Sequence, residues 1–265
     1  MCAQTAPIFS IETRNLNRSF GDYHAVQNLN LQVPQGSFFG FLGPNGAGKS
    51  TSIKMLTGLL QPSSGQISVL GQDIWKQPQK VKGLIGVVPE KLHLFERLTA
   101  TEYLEFVGAM YGMPAPLIAQ RSGELLDLME LNERRELLIA DYSHGMKKKI
   151  ALAAALIHNP AVLFLDEPFE GVDAVSAKIL RELLQDLIAR QVTIFLTSHI
   201  LEIVEKLCDH LAIIHKGRLI TAGPLDEILS RLSENPTLGT ASLEDAFIKM
   251  VGSGRSGTQQ LSWIQ

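Results

Sequence analysis

Long apolar runs are missing from this chain. The longest, Ile150 to Ile157 and Ala161 to Leu165, fall far short of the ~20 residues that a membrane-spanning helix needs, so any membrane contact is expected to go through a partner. Cysteine is nearly absent as well. Cys2 and Cys208 stand at opposite ends of the sequence and fit neither a disulfide framework nor a metal-ligand spacing, which suits a reducing cytoplasm. Nor does one sign of charge prevail: 24 Lys and Arg face 27 Asp and Glu, a net charge of −3, so the chain as a whole should attract neither nucleic acid nor anionic lipid. The opening MCAQTAPIFS lacks the basic and apolar regions of a secretory signal, and no segment repeats at a fixed period.

What is present is the profile of a soluble globular protein: 265 residues, 45% hydrophobic and 19% charged, enough for one large domain or two modest ones. From Ile8 to Val33 apolar and polar residues alternate, as in two strands of a sheet with one solvated face, and Pro34 to Gly36 makes a turn. The apolar SFFGFLG then runs into GPNGAGKS and a helical STSIKMLTGLL. Gly65 to Leu70 and Leu84 to Val88 read as short strands. Thr99 to Gly112 and Pro116 to Leu131 read as helices, the first opened by a capping box between Thr99 and Glu102. Residues from Leu92 to about His158 form an all-helical insertion. After it come the strand AVLFL, a helix from Val175 to Arg190, the strand VTIFLTS, a helix near Ile200 to Leu207 and a β pair around HLAIIHKGRLITAG. Strands interleaved with helices imply an α/β fold with a largely parallel sheet and its functional edge at the strand C-termini.

Two motifs sit at that edge. Gly43, Gly48, Lys49 and Ser50 satisfy G-x-x-x-x-G-K-[ST], and the loop from Gly43 through Pro44, Asn45, Gly46 and Ala47 to Thr51 lies between a strand and a helix. Curling backbone N–H groups around phosphates requires glycine where a side chain would block the approach, and the following helix offers its positive end to the anion. Lys49 can reach the β and γ phosphates of ATP, and the Ser50 hydroxyl can ligate Mg²⁺. Downstream, AVLFLDEP places Asp166 and Glu167 at a strand end. Adjacent strand residues point to opposite faces, so the two carboxylates divide the work: Asp166 toward Mg²⁺, Glu167 toward an attacking water as general base. His199, in LTSHI at the end of the next strand, can hold that water in line. A lone strand-end histidine is usually structural, and the series of motifs is what changes the reading.

With these residues in hand the chain resembles the ABC (ATP-binding cassette) ATPases from about Ile8 to Gly252, most closely the ABC-2 type exporter class. The motifs fall in that family's order: phosphate loop, a Q-loop position at Glu90, a signature at Tyr142 to Met146, the Asp166–Glu167 pair, a D-loop ending in Asp173 and the switch His199. The resemblance implies a P-loop NTPase core with an antiparallel β subdomain and an all-helical insertion. The end, GSGRSGTQQLSWIQ, rich in Gly, Ser and Gln without a periodic apolar face, reads as a flexible tail over 253–265, and the resemblance implies one domain over 1–252, with 92–158 inserted. It also implies that Ser143, His144 and Gly145 grip the γ phosphate of ATP bound to a second cassette, giving a head-to-tail dimer around two ATP, and that an integral membrane permease is the further partner. Phe20 matches the adenine-stacking aromatic, with Tyr23 as the alternative. Two departures stand out: the signature reads YSHGM rather than LSGGQ, and Glu90 replaces the usual Gln as candidate Mg²⁺ ligand. Lys147 to Lys149 read as a solvated helix face without a function. The LEDAFIKMVG ending matches a short helix that closes the domain. A permease-coupled exporter subunit is therefore expected. The rivals are a soluble ABC ATPase in an assembly process such as iron–sulfur cluster biogenesis, and a module that binds ATP without turnover.

Overall fold

A computed structural model describes residues 9–233 and 243–251. Along the chain run β1 (Phe9–Phe20), β2 (Tyr23–Pro34), β3 (Phe38–Leu42), α1 (Lys49–Leu56), β4 (Ser64–Val69), β5 (Gln72–Asp73), α2 (Pro78–Lys82), β6 (Ile85–Val88), α3 (Ala100–Met110), α4 (Ala115–Leu128), α5 (His144–Leu156), β7 (Val162–Asp166), α6 (Ala174–Ala189), β8 (Thr193–Ser198), α7 (Leu201–Leu207), β9 (His210–His215), β10 (Arg218–Pro224), α8 (Leu225–Ser233) and α9 (Leu243–Val251).

The strands form two sheets. The antiparallel one runs β2-β1-β4-β5 and opens with a hairpin turning through Gly21 and Asp22. The other runs β10-β9-β3-β8-β7-β6, parallel from β9 to β6 with β10 antiparallel on its edge. Strands β3, β7 and β8 are buried along their whole length, which is why they read as unbroken apolar runs while β1 and β2 alternate. One hydrophobic cluster joins the antiparallel sheet to one face of the parallel sheet through Phe39, Phe41, Phe164 and Phe195; the second joins the opposite face to α3, α4, α5 and α6.

Helix boundaries shift from the sequence pattern where the backbone turns left-handed. The helix expected through Leu60 stops at Leu56: the Thr57 hydroxyl donates back to the Ile53 carbonyl and Gly58 takes φ 70°. The one expected through Leu131 stops at Leu128, short of Glu130 at φ 54°. Elements β5, α2 and α8 carried no pattern strong enough to foresee. Between β6 and β7 the described residues hold helices and short 3₁₀ turns, with a single isolated bridge between Thr99 and Leu138. The closing helix is α9, and the tail lies outside the described residues.

One expectation fails outright. Lys147 to Lys149 do not form a solvated face: Lys147 pairs with Glu96 at 2.6 Å, whereas Lys148 and Lys149 are buried. The reason is α5 itself. Its IALAAAL stretch is packed nearly all round against β6, α3, α4 and α6, so no full face is left for water.

Candidate functional site

The phosphate loop joins β3 to α1, and its backbone is fixed by close approach. A Cβ on Gly43 would sit 2.4 Å from the Ile214 carbonyl oxygen; one on Gly48, at φ 110°, would sit 2.6 Å from that of Ala25. Lys49, at the start of α1, is buried and donates to the Gly43 and Pro44 carbonyls at 2.7 and 3.4 Å. The loop thus occupies its own lysine.

The neighbouring strand ends supply the acidic side. The register of β7 against β8 sets Asp166 beside Thr197, whose hydroxyl donates to Oδ1 of Asp166 at 2.5 Å. Burial pushes the Asp166 carboxyl above the ordinary aspartate range, and Glu90 adds to the push, while hydrogen bonds from Thr197 and Ser50 and the charge of Lys49 pull the other way. Glu167 leaves the strand. It sits at φ 50°, so the two carboxylates are separated by a backbone turn and not, as the sequence suggested, by strand alternation. A non-glycine residue in that region costs ~1–2 kcal/mol and persists only where its surroundings hold it. Here Thr197 holds the Glu167 N–H through its hydroxyl (3.1 Å) and carbonyl (3.2 Å), and the buried Lys148 ammonium donates to the Glu167 carbonyl at 3.0 Å.

The Glu167 carboxylate bridges two partners. Oε1 lies 3.7 Å from Lys49 Nζ, and Oε2 lies 3.0 Å from His199 Nδ1 and accepts from the His199 backbone N–H at 3.3 Å. Lysine, glutamate and histidine are therefore in one line of contact.

These groups open on a cleft of about 360 Å³ that gathers Phe20, Pro44, Asn45, Gly46, Gly48, Lys49, Ser50, Thr51, Glu90, Glu167 and His199 from the expected set. Tyr23, Ala25 and Glu170 also line it. Phe20 stays half exposed at its rim with the Arg18 guanidinium 4.5 Å over the ring, and the Tyr23 hydroxyl donates to the Gly46 carbonyl at 3.4 Å. Both aromatics offered for adenine are thus at the cleft.

Gly43, Ala47 and Asp166 adjoin lining residues in the chain without lining the cleft themselves, whereas Ser143, His144, Gly145 and Asp173 stand apart from it. They make a cluster of their own where α5 and α6 begin: the Ser143 hydroxyl accepts from Met146 N at 3.3 Å, and Asp173 accepts from the Val175 and Ser176 N–H groups. A Cβ on Gly145 would meet Asp173 at 3.1 Å and Ser176 at 3.2 Å, and the His144 ring lies against Gly171. Backbone bonds from Ser176 hold the Asp173 carboxyl below its ordinary range. Two helix starts, side by side, make this surface, and none of its four residues lines the cleft.

Four contributors escaped the sequence reading. Thr197 and Lys148 act through cross-element contacts, and Ala25 and Glu170 enter through the fold. The only usable signal was Lys148: a lysine at the head of an apolar, alanine-rich helix that has little room for a solvated side.

A parallel sheet whose strand ends present a glycine-rich anion loop, a buried aspartate and a glutamate–histidine pair defines a P-loop nucleotide-binding protein. The family model for ABC transporter proteins matches residues 26–170, and this chain belongs to that family. It is 38% identical over 245 residues to the linearmycin resistance ATP-binding protein of Bacillus subtilis, covering 92% of this chain and 79% of that protein. It is likewise 38% identical over 222 residues to the bacitracin transport ATP-binding protein of Bacillus licheniformis, covering 83% and 72%. Among solved structures, an ATP-binding subunit of an ABC transporter superposes with a TM-score of 0.83 at 31% identity, over 91% of this chain and 98% of the other.

Proposed function

We propose that this chain binds Mg-ATP in the cleft, hydrolyses it, and works as one half of a head-to-tail dimer that drives export through a separate membrane permease. The observation that carries the reading is the separation of the two phosphate-binding surfaces. Lys49, Glu167 and His199 converge on one cleft, while Ser143, His144 and Gly145 stand outside it at the N-terminus of α5. Within a single copy that second helix end, suited to an anion, does not line the cleft. A second copy, turned end for end, would bring each signature to the other's cleft and complete two equivalent sites.

In the cleft, Lys49 would exchange the Gly43 and Pro44 carbonyls for phosphate oxygens, a short move for a flexible ammonium. Glu167 would take a proton from water while His199, already 3.0 Å from Oε2, fixes the carboxylate's orientation. Phe20 or Tyr23 would cover the base. The donor set fits magnesium. Among the described residues no cluster of three acidic, histidine or cysteine side chains could hold a metal alone, and Mg²⁺ typically takes one or two protein oxygens with the phosphates completing its shell. Ser50 and Asp166 would hold it, with Glu90 nearby, and when bound it supplies charge neutralisation on the phosphate oxygens.

The catalytic unit is taken as one domain with residues 92–158 inserted in it. No described helix is long and apolar enough to cross a membrane, so the membrane partner must dock. A groove of about 350 Å³ lined by Leu92, Leu94, Tyr103, Val107, Tyr111 and Ala154, beside the exposed Phe95, Phe106 and Met110, offers an apolar seat for a permease segment. Export, and a permease rather than a soluble scaffold, are favoured by relatives named for bacitracin transport and Nod factor export.

The decisive substitution is Glu167→Gln. Phosphate release should fall by about 100-fold or more, the usual contribution of a general base, while ATP affinity persists and the chain runs as an ATP-dependent dimer on size exclusion. Undiminished turnover, or a monomer with ATP bound, would count against the reading.

A further inference from the structure

Lys148 is a buried cation, in contact with the Glu167 backbone, that the proposed cycle leaves without a task. It sits on α5, five residues beyond Ser143 and so ~7.5 Å along the same helix, with 3% of its surface exposed. Its ammonium donates to the carbonyl of Glu167 at 3.0 Å. That carbonyl belongs to a residue at φ 50°, whose N–H is held from the other side by Thr197 of β8. The catalytic peptide is therefore clamped between a strand and the signature helix.

We infer that Lys148 is a positioning residue, which holds the Glu167 turn against the signature helix so that the carboxylate is aimed at the water when Ser143 engages the partner's nucleotide. The inference rests on the function proposed above. Burial makes Lys148 harder to protonate than an ordinary lysine, and the carboxylates of Glu170, Glu167, Glu90 and Asp166, in that order, work to keep its charge. An ammonium held at that expense in a dry position, with a backbone carbonyl as its hydrogen-bond acceptor, is a directional contact that an apolar side chain of the same length would not make. Through it, a displacement of α5 at one nucleotide reaches the base that acts on the other, because the signature and the glutamate of one chain serve different nucleotides in the dimer. The sequence reading of three solvated lysines missed this link entirely.

The test uses the full chain and three variants: Lys148→Met, which keeps the stem and removes the donor; Lys148→Gln, which restores an N–H donor on a stem one atom shorter; and Glu167→Gln as the reference for lost chemistry. Phosphate release is measured against ATP concentration, with the thermal midpoint alongside. The expected result is a kcat for Lys148→Met lowered about tenfold or more, the scale of a misaimed catalytic group. KM for ATP and the midpoint should stay near the unsubstituted values, and Lys148→Gln should recover most of the rate. A Lys148→Met kcat within twofold of the unsubstituted chain overturns the inference, as does an equal loss in both lysine variants. Loss of fold in Lys148→Met overturns it in favour of a structural role. Absence of hydrolysis by the unsubstituted chain sinks the proposed function and this inference together, whereas normal hydrolysis with an indifferent Lys148 sinks the inference alone.

Discussion

Asp166 shows what a single residue gives up for the site. Its carboxyl is buried and its affinity for a proton is raised by that burial, so at neutral pH the nucleotide-free fold carries a charge it would hold more cheaply in the unfolded chain. The sign follows from proton linkage. The folded state binds the proton more tightly than the unfolded state, so this residue's contribution is most favourable below the ordinary aspartate range and is lost as pH rises through the raised folded value. Asp166→Asn keeps the Thr197 hydrogen bond and removes the charge. Melting scans of the nucleotide-free chain from about pH 4 to 8 should show the variant losing less stability with rising pH. At pH 8 the variant should therefore melt above the unsubstituted chain. Its ATPase should collapse at the same time. A variant that melts below the unsubstituted chain at pH 8 would contradict this account.

At the scale of elements, capping and close packing position the helices, while the chemistry lies elsewhere. Thr99 and Glu102 bond reciprocally across the first turn of α3, at 3.2 and 2.8 Å. Thr99→Ala should cost about 1 kcal/mol and leave kcat unchanged, read as a lowered Tm beside unaltered phosphate release. A large fall in kcat would mean that the helical insertion is tuned by this cap and not merely ended by it. Strand β6 and helix α5 approach so closely that a Cβ on Gly86 would sit 2.3 Å from the Ala155 carbonyl oxygen. This contact fixes α5 on the sheet and, with it, both Ser143 at the helix start and Lys148 one and a half turns on.

For the whole molecule the question is whether two copies share their sites. Lys49→Met removes the cation of the cleft and leaves the signature intact; Ser143→Arg does the reverse. Each alone should be inactive. Mixed in equal amounts, half of the dimers pair unlike chains, and each of these retains one intact composite site of two, so activity should return to roughly a quarter of the unsubstituted level. No recovery on mixing would argue for sites complete within one chain. The arithmetic depends on the two clusters being separate: Ser143, His144, Gly145 and Asp173 lie together and none lines the cleft.

The phosphate loop, the carboxylate pair and the family were legible from residues 43–51, 166–167 and 142–146 because each is a local device: a few consecutive residues make the turn, the strand end or the helix start that the chemistry needs. The α/β alternation and the helical insertion were legible for the same reason, since periodicity is a property of neighbours in the chain. Side-chain surroundings set by distant segments were not. The division between Asp166 and Glu167 comes from a left-handed turn held by β8 and α5, the burial of Lys148 from the packing of a whole helix, and the exclusion of the signature from its own cleft from where α5 and α6 begin. Short-range pattern specifies which groups exist and on what element; contacts between residues 19 or 30 positions apart decide which of them meet, and these exist only once the chain has folded.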